Sequence, residues 1–425
     1  MNTLLRKSSD AEIFASRGAA AAHAEPIVPR QWPYPYRAAL AISSDLDETL
    51  DREVYFETLR FLNTRERTML GEGLGLEFGN TLYFDMPPDQ FAYWNTDDQG
   101  REMARACIRS GHIDSFHSYG DLATTRAHAA RALEELSRHD CRIGLWVDHG
   151  TAITNFSADI MAGEGDVPGS VAYHADLTCD FGVEYICRGR VTSVVGQNVD
   201  RSVGGIFTLR HPVGSGITLA KEVTKGLLAR AGSEKYGLHA ANNLMRPTRL
   251  RDGRQVIEIF RCNPHWAGVS VCETGLGIGE VITQGMLDLL VDRRGACILY
   301  THLGKLGPGG RHFPQSAVDG LRRLAAAYSS GRILVATTRR LLDFCRYRER
   351  IEARQYRESE VTRIEVNGDA PMSALAGLTF HCDDPARTRL SFNGREVVQL
   401  QRNAPDESGR ASVSIPWKRL TYPST

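Results

Sequence analysis

The chain has 425 residues, 42% of them hydrophobic, and its 51 basic and 51 acidic side chains cancel to a formal net charge of zero. That length supports two domains, because single cores stop growing somewhere below about 300 residues. The charge balance argues against DNA, RNA or an anionic membrane surface as the main partner, and a small or neutral molecule is expected instead.

The nine cysteines are odd in number and include no CxxC pair, which speaks against both a zinc knuckle and a disulfide framework. In residues 1 to 34 the apolar letters are interrupted by Arg6, Lys7, Asp10, Glu12 and Arg17, so no signal-peptide core is expected and this segment reads as an arm. No apolar run reaches the roughly 18 residues of a membrane span. A reducing, cytoplasmic location is the expectation that follows, with export, which the small residues around Ala22 to Ala24 would suit, as the alternative.

From Arg37 onward the pattern alternates. RAALAISSD, RIGLWVDHG, GACILYTHLG and RILVATT are short apolar runs that suit strands buried on both faces of a parallel sheet. Between them REVYFETLRFL, DQGREMARACIRSG, TTRAHAARALEELSRH, ITQGMLDLLVDRRG and PQSAVDGLRRLAAAYSSG have helical length and period. Strand alternating with helix means βαβ units, in either an open doubly wound sheet or a closed barrel. The glycine- and aromatic-rich stretches Gly73 to Trp94 and Gly163 to Arg254 read as insertions over one face. Tyr83, Phe84, Phe91, Tyr93, Trp94 and Trp266 either stack on sugar rings or pack the insertions. After TRRLLDFCRYRER the runs TRIEVNG, AGLTFHCDD, TRLSFNGREVVQLQR and ASVSIPW alternate with period two between turn signals. Residues 35–354 are therefore expected to form the α/β domain, and residues 355–425 a small antiparallel β domain.

The strand ends carry the chemistry. One finishes in Ser44-Asp45-Leu46-Asp47, one leads through GHIDSF to His117, one ends in Asp148-His149 and one in Thr301-His302. Parallel strands deliver their C-terminal ends to one rim, where carboxylates and imidazoles can form a metal or acid/base site. His117 and Asp121 are four apart, so one helical turn would let both grip a cation. Alternatively, Asp121 caps the helix that starts near Thr124. His149 could be a nitrogen ligand, a substrate contact or a histidine tied to backbone. His174 and Asp176, in YHADL, have the spacing of a substrate clamp or of a surface turn. No Gly-x-Ser-x-Gly elbow is present.

SDLDE, GHIDSFHSYGD and ILYTHLG, in that order, resemble the motifs of the NodB-homology polysaccharide deacetylases, carbohydrate esterase family four, over about residues 37 to 345. The acidic pair is split by Leu46, Asp121 stands where the family has its second metal histidine, and WVDHG replaces its Arg-x-Pro. The resemblance implies a distorted parallel (β/α) barrel and a divalent metal, zinc first among the candidates, held by Asp47, His117 and Asp121. It implies Asp45 as general base and His302 as general acid, with the roles of Asp45 and Asp47 open to exchange. Asp148, His149, His174 and Asp176 are then candidate substrate contacts, and His112 stays structural. The implied activity is removal of an acetyl or other acyl group from a carbohydrate or amino sugar. A homo-oligomer is compatible with this reading. Two alternatives stand beside it. One is a metal-independent glycosidase that pairs Asp45 or Asp47 with Asp148; the other is a degenerate, non-catalytic glycan-binding protein.

Overall fold

Seven consecutive buried residues, AALAISS, form strand β1 (Ala38–Ser44), as a strand covered on both faces should. The computed structural model describes residues 24–46, 49–233, 236–237, 241–265, 275–304 and 313–424. Asp47, Cys272, Trp266 and residues 1–23 of the expected arm lie outside the described residues. The chain divides into two units, one of Ala38–Leu342 with the residues from Arg419, the other of residues 24–37 with Asp343–Lys418.

In the larger unit β1 is followed by α1 (Arg52–Asn63), β2 (Gly79–Leu82), α2 (Asp98–Ser110), β3 (Ile113–His117), α3 (Arg126–Arg138), β4 (Leu145–Val147), α4 (Ala175–Phe181) and β5 (Tyr185–Cys187). Then come α5 (Pro212–Arg230), β6 (Met245–Arg249), β7 (Gln255–Ile259), α6 (Gln284–Asp292), β8 (Ala296–Thr301), α7 (Gln315–Ser329) and β9 (Ile333–Val335). Local chemistry sets the helix ends. Asp51 accepts a hydrogen bond from the Val54 amide to start α1, while Tyr55, Phe56, Leu59 and Leu62 face the core. Asp97 caps α2, and Gly111, in the left-handed region at φ 82°, ends it.

The strands lie in the order β6-β7-β5-β4-β3-β2-β1-β8, with β9 also paired to β1. All neighbours are parallel except β6 and β7. From β1 to β5 consecutive strands are adjacent, and β8 then pairs with β1 on the side away from β2. Leu40, Phe116, Trp146, Ile186 and Leu299 belong to one buried apolar cluster with the inner faces of the helices.

The sheet is not closed: among the described residues no backbone ladder joins β7 to β8. Past β7, Arg261–Cys262 pairs instead with Val191–Thr192. The side chain of Gln197 spans the interruption. Its Nε2 donates to Phe260 O (2.8 Å) and its Oε1 accepts from Ile298 N (2.7 Å).

The helices and strands that the periodicity marks are present, but α4 and the 19-residue α5 lie in the stretch from Gly163 to Arg254, where the periodicity marks no helix. The two stretches read as insertions need correction, because they contain β2, β5 and β6. GNTL and YIC are too short to show a period against their glycine and aromatic surroundings.

The smaller unit is built from β strands. Its five-stranded sheet runs Glu25–Pro26, Glu352–Glu358, Val361–Asn367, Thr388–Phe392, Arg395–Glu396; a three-stranded sheet holds Thr379–His381, Ser412–Ser414 and Gln401–Asn403. One pair, Val361–Asn367 with Thr388–Phe392, is parallel, and the rest are antiparallel. Ile364, Phe380, Leu390 and Val413 form its core. The division between units falls inside the helix Thr338–Arg348 rather than near Gln355, and the described end of the expected arm is an edge strand of this unit. A two-residue strand has no period to read. No described helix is long and apolar enough to cross a membrane.

Candidate active site

Hydrogen bonding continues one residue beyond the strands and fixes the rim. The Asp45 amide donates to Thr301 O (2.8 Å), Ser118 to Val147 O (3.1 Å) and Asp148 to Cys187 O (3.0 Å). The side chains of Asp45, His117 and His302 are thereby brought together. Asp45 Oδ2 lies 3.1 Å from His117 Nε2 and 3.7 Å from His302 Nε2. Tyr300 donates its hydroxyl to the same Asp45 oxygen and stands 3.4 Å from His117 Nε2. Asp45 and His117 are fully buried, and His302 is at the edge of solvent. Tyr83 stacks on the His117 ring at a centroid distance of 4.7 Å, which restricts its rotation.

His117 and Asp121 do not share a helical turn. Ser118, Tyr119 and Gly120 all have positive φ (56°, 71° and 107°), so the chain folds back sharply after β3. A Cβ on Gly120 would stand 2.2 Å from Asp85 O, a contact only glycine avoids. Asp121 does not cap α3 either, since Thr125 and His128 form the capping box there. Its carboxylate instead lies 3.0 Å from His149 Nδ1, and the His149 ring packs edge-on against His117 at 4.4 Å. Asn155 binds both backbone groups of His149 through its side-chain amide, which leaves the imidazole to face the pocket.

Asp148 is wholly buried. Its Oδ1 accepts from Trp146 Nε1 and from the Phe156 amide, both at 2.8 Å. Oδ2 has no hydrogen-bond partner among the described residues. Burial outweighs those two donors and the nearby Arg188, and pushes the carboxyl up to about 7. Cys187 is likewise raised, to about 11, chiefly by burial.

These groups border a pocket of about 370 Å³ whose walls include Asp121, Asp148, His149, Arg261, Tyr300 and His302. The size suits a small ligand.

The expected clamp of His174 and Asp176 does not form. His174 is buried with Nδ1 on the Thr178 hydroxyl (2.8 Å) and Nε2 on Thr154 O (2.9 Å). Asp176 makes a two-pronged ion pair with Arg126. Neither lines the pocket: His174 ties the start of α4 to the loop at Thr154, and Asp176 ties α4 to the first residue of α3. His112, at the opposite end of β3 from His117, is buried with Nδ1 on the Ser110 hydroxyl and stays outside the site.

Tyr83, Tyr300 and Arg261 are site residues that the strand-end pattern misses. Tyr300 was accessible to it, since it precedes His302 by two positions and alternate residues of a strand share a face. Arg261 lies in a two-residue strand whose partner, Val191–Thr192, is distant in sequence, so no local signal marks it. The chain matches no protein-family model, no curated protein and no solved structure.

Proposed function

We propose that the chain is a metal-dependent hydrolase that removes an acyl group from a carbohydrate or amino sugar, on an incompletely closed relative of the (β/α) barrel. The observation that carries the reading is the meeting of Asp45, His117 and His302, from β1, β3 and β8, at a single carboxylate oxygen beside a pocket.

The donor chemistry fits a divalent ion, zinc in first place. Two ligands of a tetrahedral zinc at roughly 2.0–2.2 Å stand roughly 3.3 Å from each other. Asp45 Oδ2 and His117 Nε2 are 3.1 Å apart. Among the described residues no set of three His, Cys, Asp or Glu side chains makes a complete ligand group. Asp45 and His117 would hold the ion. A bound ion supplies Lewis acidity toward water and the acyl oxygen.

The remaining work falls to the chain itself. Tyr300 orients the Asp45 carboxylate, and Tyr83 keeps the His117 ring in place. His302, on the pocket wall, carries a proton to the departing nitrogen or oxygen. Of the two assignments the sequence leaves open, burial favours Asp45 as ligand and leaves the base to Asp47. Asp121, turned toward His149, is the weaker ligand candidate.

The test is zinc reconstitution with elemental analysis, paired with acetate release from N- and O-acetylated sugars. About one ion per chain is expected, with Asp45→Asn and His117→Ala each losing metal and at least roughly 100-fold in rate. Wild-type protein that neither takes up a divalent ion nor releases acetate would end the proposal.

One observation supports a second reading. A buried carboxyl titrating near 7, as at Asp148, is what a glycosidase acid requires. Glycoside cleavage that persists in chelator, and stops in Asp148→Asn, would favour it.

A further inference from the structure

Arginines crowd this side of the larger unit, and most of them are committed. Buried Glu258 takes Arg188 at 2.9 Å, Arg190 at 3.2 Å and Arg246 at 2.6 Å, and Arg190 also pairs with Asp159 at 2.8 Å. Arg261 is the exception on the pocket wall. No carboxylate lies within ion-pair distance of it among the described residues, and its Nε is shut off from solvent without a hydrogen-bond acceptor. Its guanidinium lies 4.8 Å from the centre of the Tyr300 ring, a cation–π contact that fixes where the group sits.

The other charged groups of the pocket do little to neutralise it. Asp121 faces His149, and burial holds much of Asp148 in its neutral form near pH 7. A buried guanidinium nitrogen lacking an acceptor is costly unless a ligand supplies one. Its planar fork matches a carboxylate.

We infer that the pocket selects a small substrate bearing a carboxylate, which Arg261 binds while the acyl group lies toward Asp45, His117 and His302. The inference rests on the hydrolase reading for the position of the acyl group, but not for the anion site itself. It places the substrate among acidic, acylated sugars of about monosaccharide size rather than neutral polymers.

The test is calorimetry on the full chain with three probes: N-acetylglucosamine, N-acetylmuramic acid, which adds a carboxylate, and N-acetylglucosamine 6-phosphate. The carboxylate probe is expected to bind at least about tenfold more tightly than the neutral one. Arg261→Gln should bring that ratio to within about threefold of unity, and Arg261→Lys, which keeps the charge but not the fork, should retain part of it. Circular dichroism of both variants separates loss of the site from loss of the fold, and Arg261→Lys stands as the folded comparison should the glutamine variant unfold.

Equal binding of neutral and acidic probes would overturn the inference, as would no binding of any probe at millimolar concentration or a preference that survives Arg261→Gln. A preference for the phosphate alone would overturn the carboxylate assignment. Because calorimetry needs no turnover, an Arg261-dependent preference in protein that never releases acetate would sink the hydrolase reading and leave the anion site standing. Acetate release without the preference would do the reverse.

Discussion

The two oxygens of Asp148 occupy different surroundings: one accepts two hydrogen bonds, and the other has no partner among the described residues. An unfolded aspartate titrates near 3.9, whereas this one titrates at about 7. Between those values the folded state keeps a proton that the unfolded state has released, so stability falls as pH rises from about 4 to 7. An asparagine oxygen can still accept from Trp146 and Phe156, but the side chain no longer ionises. Relative to the wild type, Asp148→Asn should therefore gain on the order of 3 kcal/mol between pH 4 and pH 8. Melting temperatures of both proteins at the two pH values would show it, and a difference that stays flat with pH would mean the carboxyl ionises normally. Residues of this kind are partly legible from sequence. Asp45, His117 and His302 stand out because they end apolar runs, but which of them touch, and that Tyr300 joins them, depends on contacts between strands.

At the scale of elements, the turn after β3 is the feature that spacing misreads. HSYGD has the four-residue interval of a helical turn, but three successive left-handed residues reverse the chain and send Asp121 to His149. Such conformations are rare for serine and tyrosine, and only Gly120 hints at them. Gly120→Ala would meet both the backbone strain and the Asp85 carbonyl, so it should cost at least about 2 kcal/mol in denaturant unfolding. It should also lower activity by displacing His117; a variant of unchanged midpoint and rate would show the turn to be tolerant. The helices were legible for a plain reason. Asp51, Asp97 and Gly111 are local signals, whereas β2 and β5 owe their place to neighbours far away in sequence.

For the molecule as a whole, sequence rhythm conveys the parallel sheet and the β-rich smaller unit. It does not convey closure, which depends on how Arg261–Cys262 pairs. Stability toward acid is also a collective property. His112 and His174 are both lowered to about 4, chiefly by burial. As pH falls from about 6.5 to 4 the unfolded chain binds protons these rings refuse, and the fold loses a few kcal/mol in total. Asp148 acts in the opposite direction, as do Glu77, Asp85 and Asp114, whose carboxyls burial also raises. The histidine effect is therefore read by difference: between pH 7 and pH 4.5 the urea midpoint of His174→Gln should fall less than that of the wild type, and equal changes would contradict the burial of the ring.

Where the ladder between β7 and β8 is interrupted, the amide of Gln197 is a clasp across a seam. Releasing it breaks a few bonds rather than a full row, so this is where the wall would breathe at the lowest cost. Arg261 stands on one bank and Tyr300 with His302 on the other. Two side chains thus lace the banks together where the backbone does not: the Gln197 amide behind the pocket and the Arg261 guanidinium, resting on the Tyr300 ring, at its wall.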